Sequence, residues 1–378
     1  MAKKRGREQK PEWVPPAGGR EFATRVRPGM EPPAGVKNLR EEKRGPRRRP
    51  LSVAEHVRGV LQGDRSLLAR TITLVESNAP AHFRKAQTVL KRLLPHTGRS
   101  FRVGVTGVPG AGKSTYIEAL GCHLLESGFK VAVLTVDPSS SVTRGSILGD
   151  KTRMDKLSRQ PDCFIRPSPA AGTLGGVTRK SRETIRVCEA AGFDIILIET
   201  VGVGQSEITV RSMVDFFLLL LIPGAGDELQ GIKRGVVEIA DAVLINKADG
   251  DNRARARRAQ DEYAAALKTM APATPGWETR VHLCSALTGA GVAETWTMMR
   301  RFWEWVDGSG HLEERRRRQN LEWTFAMVEE YLTGRFYAHP GVDKRVPEIR
   351  RGISQGKMLP TEAAEMLLEV FFAGDAES

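Results

Sequence analysis

Eight consecutive residues, Gly107-Val108-Pro109-Gly110-Ala111-Gly112-Lys113-Ser114, have the spacing G-x-x-x-x-G-K-S. Glycines so placed let the chain turn its N–H groups inward around phosphate oxygens, and a helix starting at the lysine adds its positive end. Lys113 is then positioned to reach β- and γ-phosphates, and the Ser114 hydroxyl to ligate a Mg²⁺ ion bridging them. The flanks have the required character. An apolar run, Phe101–Thr106, precedes the loop, and an apolar-periodic stretch from Thr115 to about Leu125 follows it. The chemistry is that of nucleoside triphosphate binding.

A second group concerns the base. Asn246-Lys247-Ala248-Asp249 follows the apolar run Ala242–Ile245. The Asp249 carboxylate can accept from the N1–H and the exocyclic amine of guanine, whereas adenine offers neither donor on that edge. With ATP the carboxylate would stay unpaired, at about 1–3 kcal/mol. Asn246 suits bracing the neighbouring loops, and the Lys247 stem can lie over the base plane. Cys284-Ser285-Ala286-Leu287 has the look of a loop whose backbone, at Ser285, Ala286 and Leu287, meets the guanine carbonyl. GTP and GDP are expected over ATP. Two carboxylates stand at ends of apolar runs, Asp137 after Val133–Val136 and Glu199 after Ile196–Ile198. Ligands gather at such ends in open α/β sheets. With Lys113 they form the candidate catalytic set, and with Ser114 the candidate Mg²⁺ set, holding the ion through water or orienting the attacking water.

These residues need a sheet to carry them. Seven β-rich runs alternate with helical stretches between about Arg99 and Val306: Phe101–Thr106, Val131–Val136, Cys163–Arg166, Ile195–Glu199, Phe216–Ile222, Ala242–Asn246 and Val281–Cys284. Several are apolar at consecutive positions, as strands covered on both faces must be. The fold class is α/β, a P-loop NTPase domain on a mostly parallel sheet. Upstream, Ser52 and Glu55 have capping-box spacing, and helices are expected from there, over Arg65–Glu76 and over Ala81–Leu94 before Pro95. Downstream, a charged helix runs from His311 to about Leu332 through Arg315–Arg318, and a last one covers Thr361–Phe372. The organisation expected is a tail over 1–50, a helical segment over 51–98, the nucleotide-binding domain over 99–306 and a helical arm over 307–378.

Charge is unevenly spread. Of a net +13, residues 1–50 hold +9, from 15 basic and 6 acidic side chains. That Pro-rich segment cannot bury enough surface to offset its ordering entropy and reads as a disordered tail. The remainder is near neutral, which excludes a nucleic-acid-binding body. No apolar run reaches the roughly 18 residues of a membrane span. The first residues lack the apolar core of a secretory signal, and Glu8, Glu12, Glu21 and eight prolines argue against a mitochondrial presequence. Four widely spaced cysteines form no C-x-x-C. A cytoplasmic protein is expected, ahead of one in the mitochondrial matrix.

Longer strings are more particular. Asp137-Pro138-Ser139-Ser140, Gly172-Thr173-Leu174-Gly175-Gly176, the run Glu199 to Glu207 (E-T-V-G-V-G-Q-S-E) and the run Asp227 to Lys233 (D-E-L-Q-G-I-K) together resemble the MeaB/ArgK family. These are methylmalonyl-CoA mutase-associated GTPases, called MMAA in mitochondria and, in older naming, LAO/AO transport ATPases or ArgK kinases. The resemblance covers about Leu51 to the C-terminus and is densest over Phe101–Leu287. It implies a G domain of the signal-recognition and metallochaperone class, flanked by N-terminal helices and a C-terminal dimerisation arm. It further implies a homodimeric G-protein chaperone that loads and protects an adenosylcobalamin-dependent acyl-CoA mutase. The alternatives are a transport ATPase, an ArgK-like kinase or a GTPase metallochaperone. The seven histidines are too scattered for the last. Where family members often carry Arg before the Gly-Thr-Leu-Gly-Gly loop, this chain has Ala171.

Overall fold

A computed structural model describes residues 49–136, 154–167, 174–200, 205–224 and 234–375. The chain divides into two units, 1–50 and 51–378, and every described helix and strand lies in the second.

Three helices come first, α1 (Val53–Leu61), α2 (Arg65–Val75) and α3 (Pro80–Leu93). Ser52 Oγ accepts from the Glu55 N–H at 3.2 Å, while Glu55 Oε2 accepts from the Ser52 N–H at 2.7 Å. The expected capping box is therefore formed in both directions. Asp64 caps α2 through the N–H groups of Ser66 and Leu67, at 2.8 and 2.9 Å. α3 gives way to a 3₁₀ turn, Leu94–His96, that contains Pro95.

Strands and helices then alternate: β1 (Phe101–Gly107), α4 (Lys113–Glu126), β2 (Val131–Val136), α5 (Asp155–Ser158), β3 (Cys163–Pro167), α6 (Leu174–Ala190), β4 (Ile195–Thr200), α7 (Gln205–Arg211), β5 (Phe216–Leu221), α8 (Arg234–Glu238), β6 (Ala242–Ile245), α9 (Arg253–Leu267), β7 (Arg280–Leu283) and α10 (Val292–Gly308). All seven expected strands are present. Their order is β3-β2-β4-β1-β5-β6-β7, with every neighbouring pair parallel. The consecutive apolar runs are explained by two cores. In β4, Ile195 and Leu197 point to the face covered by α4 and α10, whereas Ile196 and Ile198 join Val60, Leu68, Ile72, Val89 and Leu93 of the first three helices. β5 divides in the same way between Phe216, Leu218, Leu220 and Phe217, Leu219, Leu221. Among the described residues no helix is long and apolar enough to cross a membrane.

The C-terminal part is three helices, α11 (His311–Ala338), α12 (Pro340–Ser354) and α13 (Pro360–Asp375). The run Arg315–Arg318 is not a uniformly solvated charged face. Arg315 and Gln319 are buried, and Arg315 and Arg316 reach two fully buried aspartates, each placed one residue before a strand. Asp215 accepts from the Arg102 N–H at 2.9 Å and from Arg316 Nε and Nη2 at 2.8 and 2.5 Å. Asp241 accepts from the Phe217 N–H at 2.9 Å and pairs with Arg211 at 2.8 Å and Arg315 at 3.8 Å. Burial would raise the Asp215 pKa, but the charge and hydrogen bonds of Arg316, with Arg102, hold it below the usual aspartate range.

Removing one partner of such a pair strands a buried charge. Asp215→Ala is expected to lower stability by about 3–5 kcal/mol in urea unfolding at pH 7. Because the folded pKa is depressed, that contribution is present above the ordinary aspartate pKa and is lost as pH falls through the folded value. The gap between wild type and variant should therefore narrow below about pH 4.

Candidate functional site

The sheet brings the phosphate-loop residues to the carboxyl ends of β1 and β4, its central strands. Gly107 ends β1 at φ +152°, where a Cβ would run into the Leu220 carbonyl of β5. Gly112 has φ +85°, and a Cβ there would lie 2.7 Å from Asn246 Nδ2. Both positions need glycine, for backbone conformation and for space. Between them lie Val108, Pro109, Gly110 and the fully buried Ala111. Lys113 starts α4 and is buried, its Nζ donating to the carbonyls of Gly107 at 2.9 Å and Val108 at 3.2 Å. Burial lowers its pKa, while the carboxylates of Glu199 and Glu207 oppose that shift.

Ser114 Oγ donates to Glu199 Oε1 at 2.7 Å. A hydroxyl and a buried carboxylate in contact are hard oxygen donors of the kind Mg²⁺ prefers, so the residues present fit that ion. Thr115 follows on the exposed side of α4. Beneath them the Thr106 and Thr200 hydroxyls pair at 2.8 Å and tie the ends of β1 and β4 together. Asp137, the residue after β2, lies outside the described residues, as do 201–204 and 225–233.

At the base end, Asn246 spends its whole side chain on bracing. Its Nδ2 donates to the Ala111 carbonyl at 2.7 Å, and its Oδ1 accepts from the Ala286 N–H at 3.0 Å. The Ala248 N–H donates to the Cys284 carbonyl at 3.0 Å, so the two base loops are also joined by backbone. Lys247, at φ +60°, is the one non-glycine residue in the left-handed region among the described residues. Such a conformation costs about 1–2 kcal/mol. It leaves Lys247 exposed and Asp249 half-buried. Among the described residues the Asp249 carboxylate accepts no hydrogen bond. A half-buried acceptor pair of this kind matches the two donors of guanine and mismatches adenine. Ser285 is buried, its Oγ accepting from the Thr288 N–H at 3.3 Å, while Leu287 projects into solvent. The cysteines are free thiols, and burial pushes Cys284 up to about 12. A thiol beside the base loop therefore carries almost no thiolate at neutral pH.

One residue at the site has no counterpart among the candidates drawn from spacing. Glu207, near the start of α7, is buried and close enough for its charge to bear on Lys113. It stands within the E-T-V-G-V-G-Q-S-E string, but nothing in a linear pattern says that a helix turns it inward.

A family model described as methylmalonyl Co-A mutase-associated GTPase MeaB matches residues 68–341. The chain belongs to that family. It is 52% identical over 318 residues to a Mycobacterium tuberculosis protein named a probable GTPase, spanning 84% of this chain and 94% of that one. It is 47% identical to the mouse mitochondrial methylmalonic aciduria type A homolog, over 83% of this chain and 78% of that one. A crystal structure titled as a LAO/AO transport system kinase superposes with a TM-score of 0.70 at 38% identity, covering 84% of this chain and 96% of that chain. This MeaB-family chain is a P-loop GTPase that binds guanine nucleotide.

Two substitutions separate the parts of the site. Asn246→Ala leaves the Ala111 carbonyl and the Ala286 N–H without a partner. GDP and GTP affinity should fall together by about tenfold or more in titrations with a fluorescent nucleotide. Asp249→Ala should instead reduce the preference for GTP over ATP by about ten- to a hundredfold in competition.

Proposed function

We propose that the protein is a GTP-hydrolysing chaperone for an adenosylcobalamin-dependent acyl-CoA mutase, with methylmalonyl-CoA mutase the default partner. The family match over 68–341 carries this reading. The site geometry supports it, since Lys113, Ser114, Glu199 and the half-buried Asp249 carboxylate form a set for Mg²⁺ and GTP.

In this reading the backbone N–H groups of the loop between Gly107 and Thr115, all but that of Pro109, which has none, enclose the phosphates, and Lys113 exchanges its two loop carbonyls for β- and γ-phosphate oxygens. Ser114, Glu199 and Asp137 hold Mg²⁺. Held by these residues, the ion would offset the negative charge of the phosphates. Glu199 and Asp137 orient the attacking water in line with the γ-phosphorus. Asn246 keeps base and phosphate loops in register, Lys247 covers the base plane, Asp249 reads its edge, and the 285–287 backbone meets its carbonyl. Because such a reaction depends on positioning and charge stabilisation, turnover is slow until a partner completes the set.

The same proposal divides the chain into a basic tail over 1–50, a helical segment over 51–98, a GTPase domain over 99–306 and an arm over 307–378. It makes the protein a cytoplasmic homodimer. Leu321, Phe325, Val328 and Leu332 of α11 are exposed at intervals of four, three and four. That is the spacing a coiled-coil seam uses, and it supports pairing through the arm.

Phosphate release from GTP and from ATP, each with and without the mutase of the same organism, tests the reading. Acceleration confined to GTP and to added mutase is expected. GTP turnover indifferent to any acyl-CoA mutase would discard the partner and leave the GTPase standing.

A further inference from the structure

α7 stands between the nucleotide site and the base of the arm. Four residues separate its first residue, Gln205, from Thr200 at the end of β4, the strand whose Glu199 accepts the Ser114 hydroxyl. Near that end Glu207 is buried against the Lys113 environment.

The other end is held by side chains from distant elements. A helix leaves its last carbonyls without intrahelical partners, and here two donors serve that turn and the residues just after it. Arg182 of α6 donates to the Ser212 carbonyl at 2.6 Å and to Ser212 Oγ at 2.8 Å. Gln319 of α11 donates to the Val214 carbonyl at 2.8 Å and, over a longer 3.4 Å, to the Arg211 carbonyl. The two donors are themselves joined, since Arg182 also donates to the Gln319 carbonyl at 3.3 Å and its guanidinium lies 5.4 Å from the Trp323 ring centre.

Arg182 is 8% exposed, yet its acceptors are all neutral and its Nε–H has none among the described residues. Burial, then the nearby Arg102 and Arg186, push its pKa down to about 10 against the smaller opposing charge of Glu322, which makes no hydrogen bond to it among the described residues. A buried cation served only by neutral acceptors is a poor way to fill space, because an apolar side chain of similar volume packs without the desolvation cost. What a guanidinium adds is a fixed fork that holds the Ser212 carbonyl and hydroxyl, one residue past α7, and the Gln319 carbonyl together, with its charge on the favourable side of the helix dipole.

We propose that Arg182 and Gln319 are positioning residues for GTP hydrolysis: by holding the carbonyls of Arg211, Ser212 and Val214, at and just after the end of α7, they set where that helix and its Glu207 stand relative to Lys113 and Glu199, and they make the base of the arm part of the support of the hydrolytic site. The proposal rests on the GTPase activity and not on the identity of any partner.

Gln319→Met keeps the volume and removes both donors, and Arg182→Lys keeps the charge but loses the planar fork. The test is single-turnover hydrolysis of prebound GTP by the full chain, with GDP affinity measured separately. Asp64→Ala, which removes the cap of α2, serves as a comparison for general destabilisation. The hydrolysis rate should fall about tenfold in both variants, with GDP affinity held within about twofold. Asp64→Ala should hydrolyse at the wild-type rate despite its lower thermal midpoint. Three results would overturn the proposal: an unchanged rate in either folded variant, rate and GDP affinity falling in parallel, or an equal rate loss in Asp64→Ala. If Gln319→Met does not fold, Arg182→Lys decides by the same criteria.

Discussion

The side chain of Asn246 makes one object of two separate recognition surfaces. With one amide it holds the Ala111 carbonyl in the phosphate loop and the Ala286 N–H in the base loop. Gly112 must lack a Cβ for that amide to come so close. The two loops are thereby set at a constant spacing by two buried hydrogen bonds, each costly to break because water cannot replace them. Around this brace the remaining groups have definite tasks. Lys113 is inward-facing, Ser114 and Glu199 are in contact, and the Asp249 carboxylate is half-buried beside the base loop.

The brace works because of the sheet beneath it. Every strand is parallel and the central ones are covered on both faces, so strand ends on one edge are where polar groups can gather. β1 lies between β4 and β5, which puts the phosphate loop, Glu199 and the start of α7 side by side although Ser114 and Glu199 are 85 residues apart in sequence. The first three helices are not an appendage in this respect. Their apolar faces complete the core behind Ile196 and Ile198 of β4.

At the opposite edge the arm is joined to the sheet by charge. Asp215 and Asp241 each precede a strand, accept a strand N–H, and bind an arginine of α11. Beyond Gln319 the same helix reverses character and exposes apolar side chains, among them Leu321, Phe325 and Val328. Arg182 and Gln319 extend this junction to the end of α7, so arm and nucleotide site share a support.

Much of this is legible in the linear sequence. G-x-x-x-x-G-K-S and N-K-x-D name both the ligand class and the base because they constrain backbone and hydrogen-bonding chemistry over a few adjacent residues. Unbroken apolar runs announce strands buried on both faces, and Ser52 with Glu55 announces a helix start. Those are local constraints, written within one or two turns of chain. Arg315 and Arg316 look like solvated charge in the sequence, and their pairing follows only from aspartates distant in the chain, Asp241 for Arg315 and Asp215 for Arg316. The helix α12 is hidden from a linear reading because Pro340 and Pro347 argue against one, yet Pro340 sits in its first turn and the helix runs on through Pro347 with Val342 and Ile349 buried. Glu207, Arg182 and the order of the strands are likewise decided by tertiary structure. Which groups meet across a sheet depends on the summed packing of both faces, and no short stretch of sequence carries that sum.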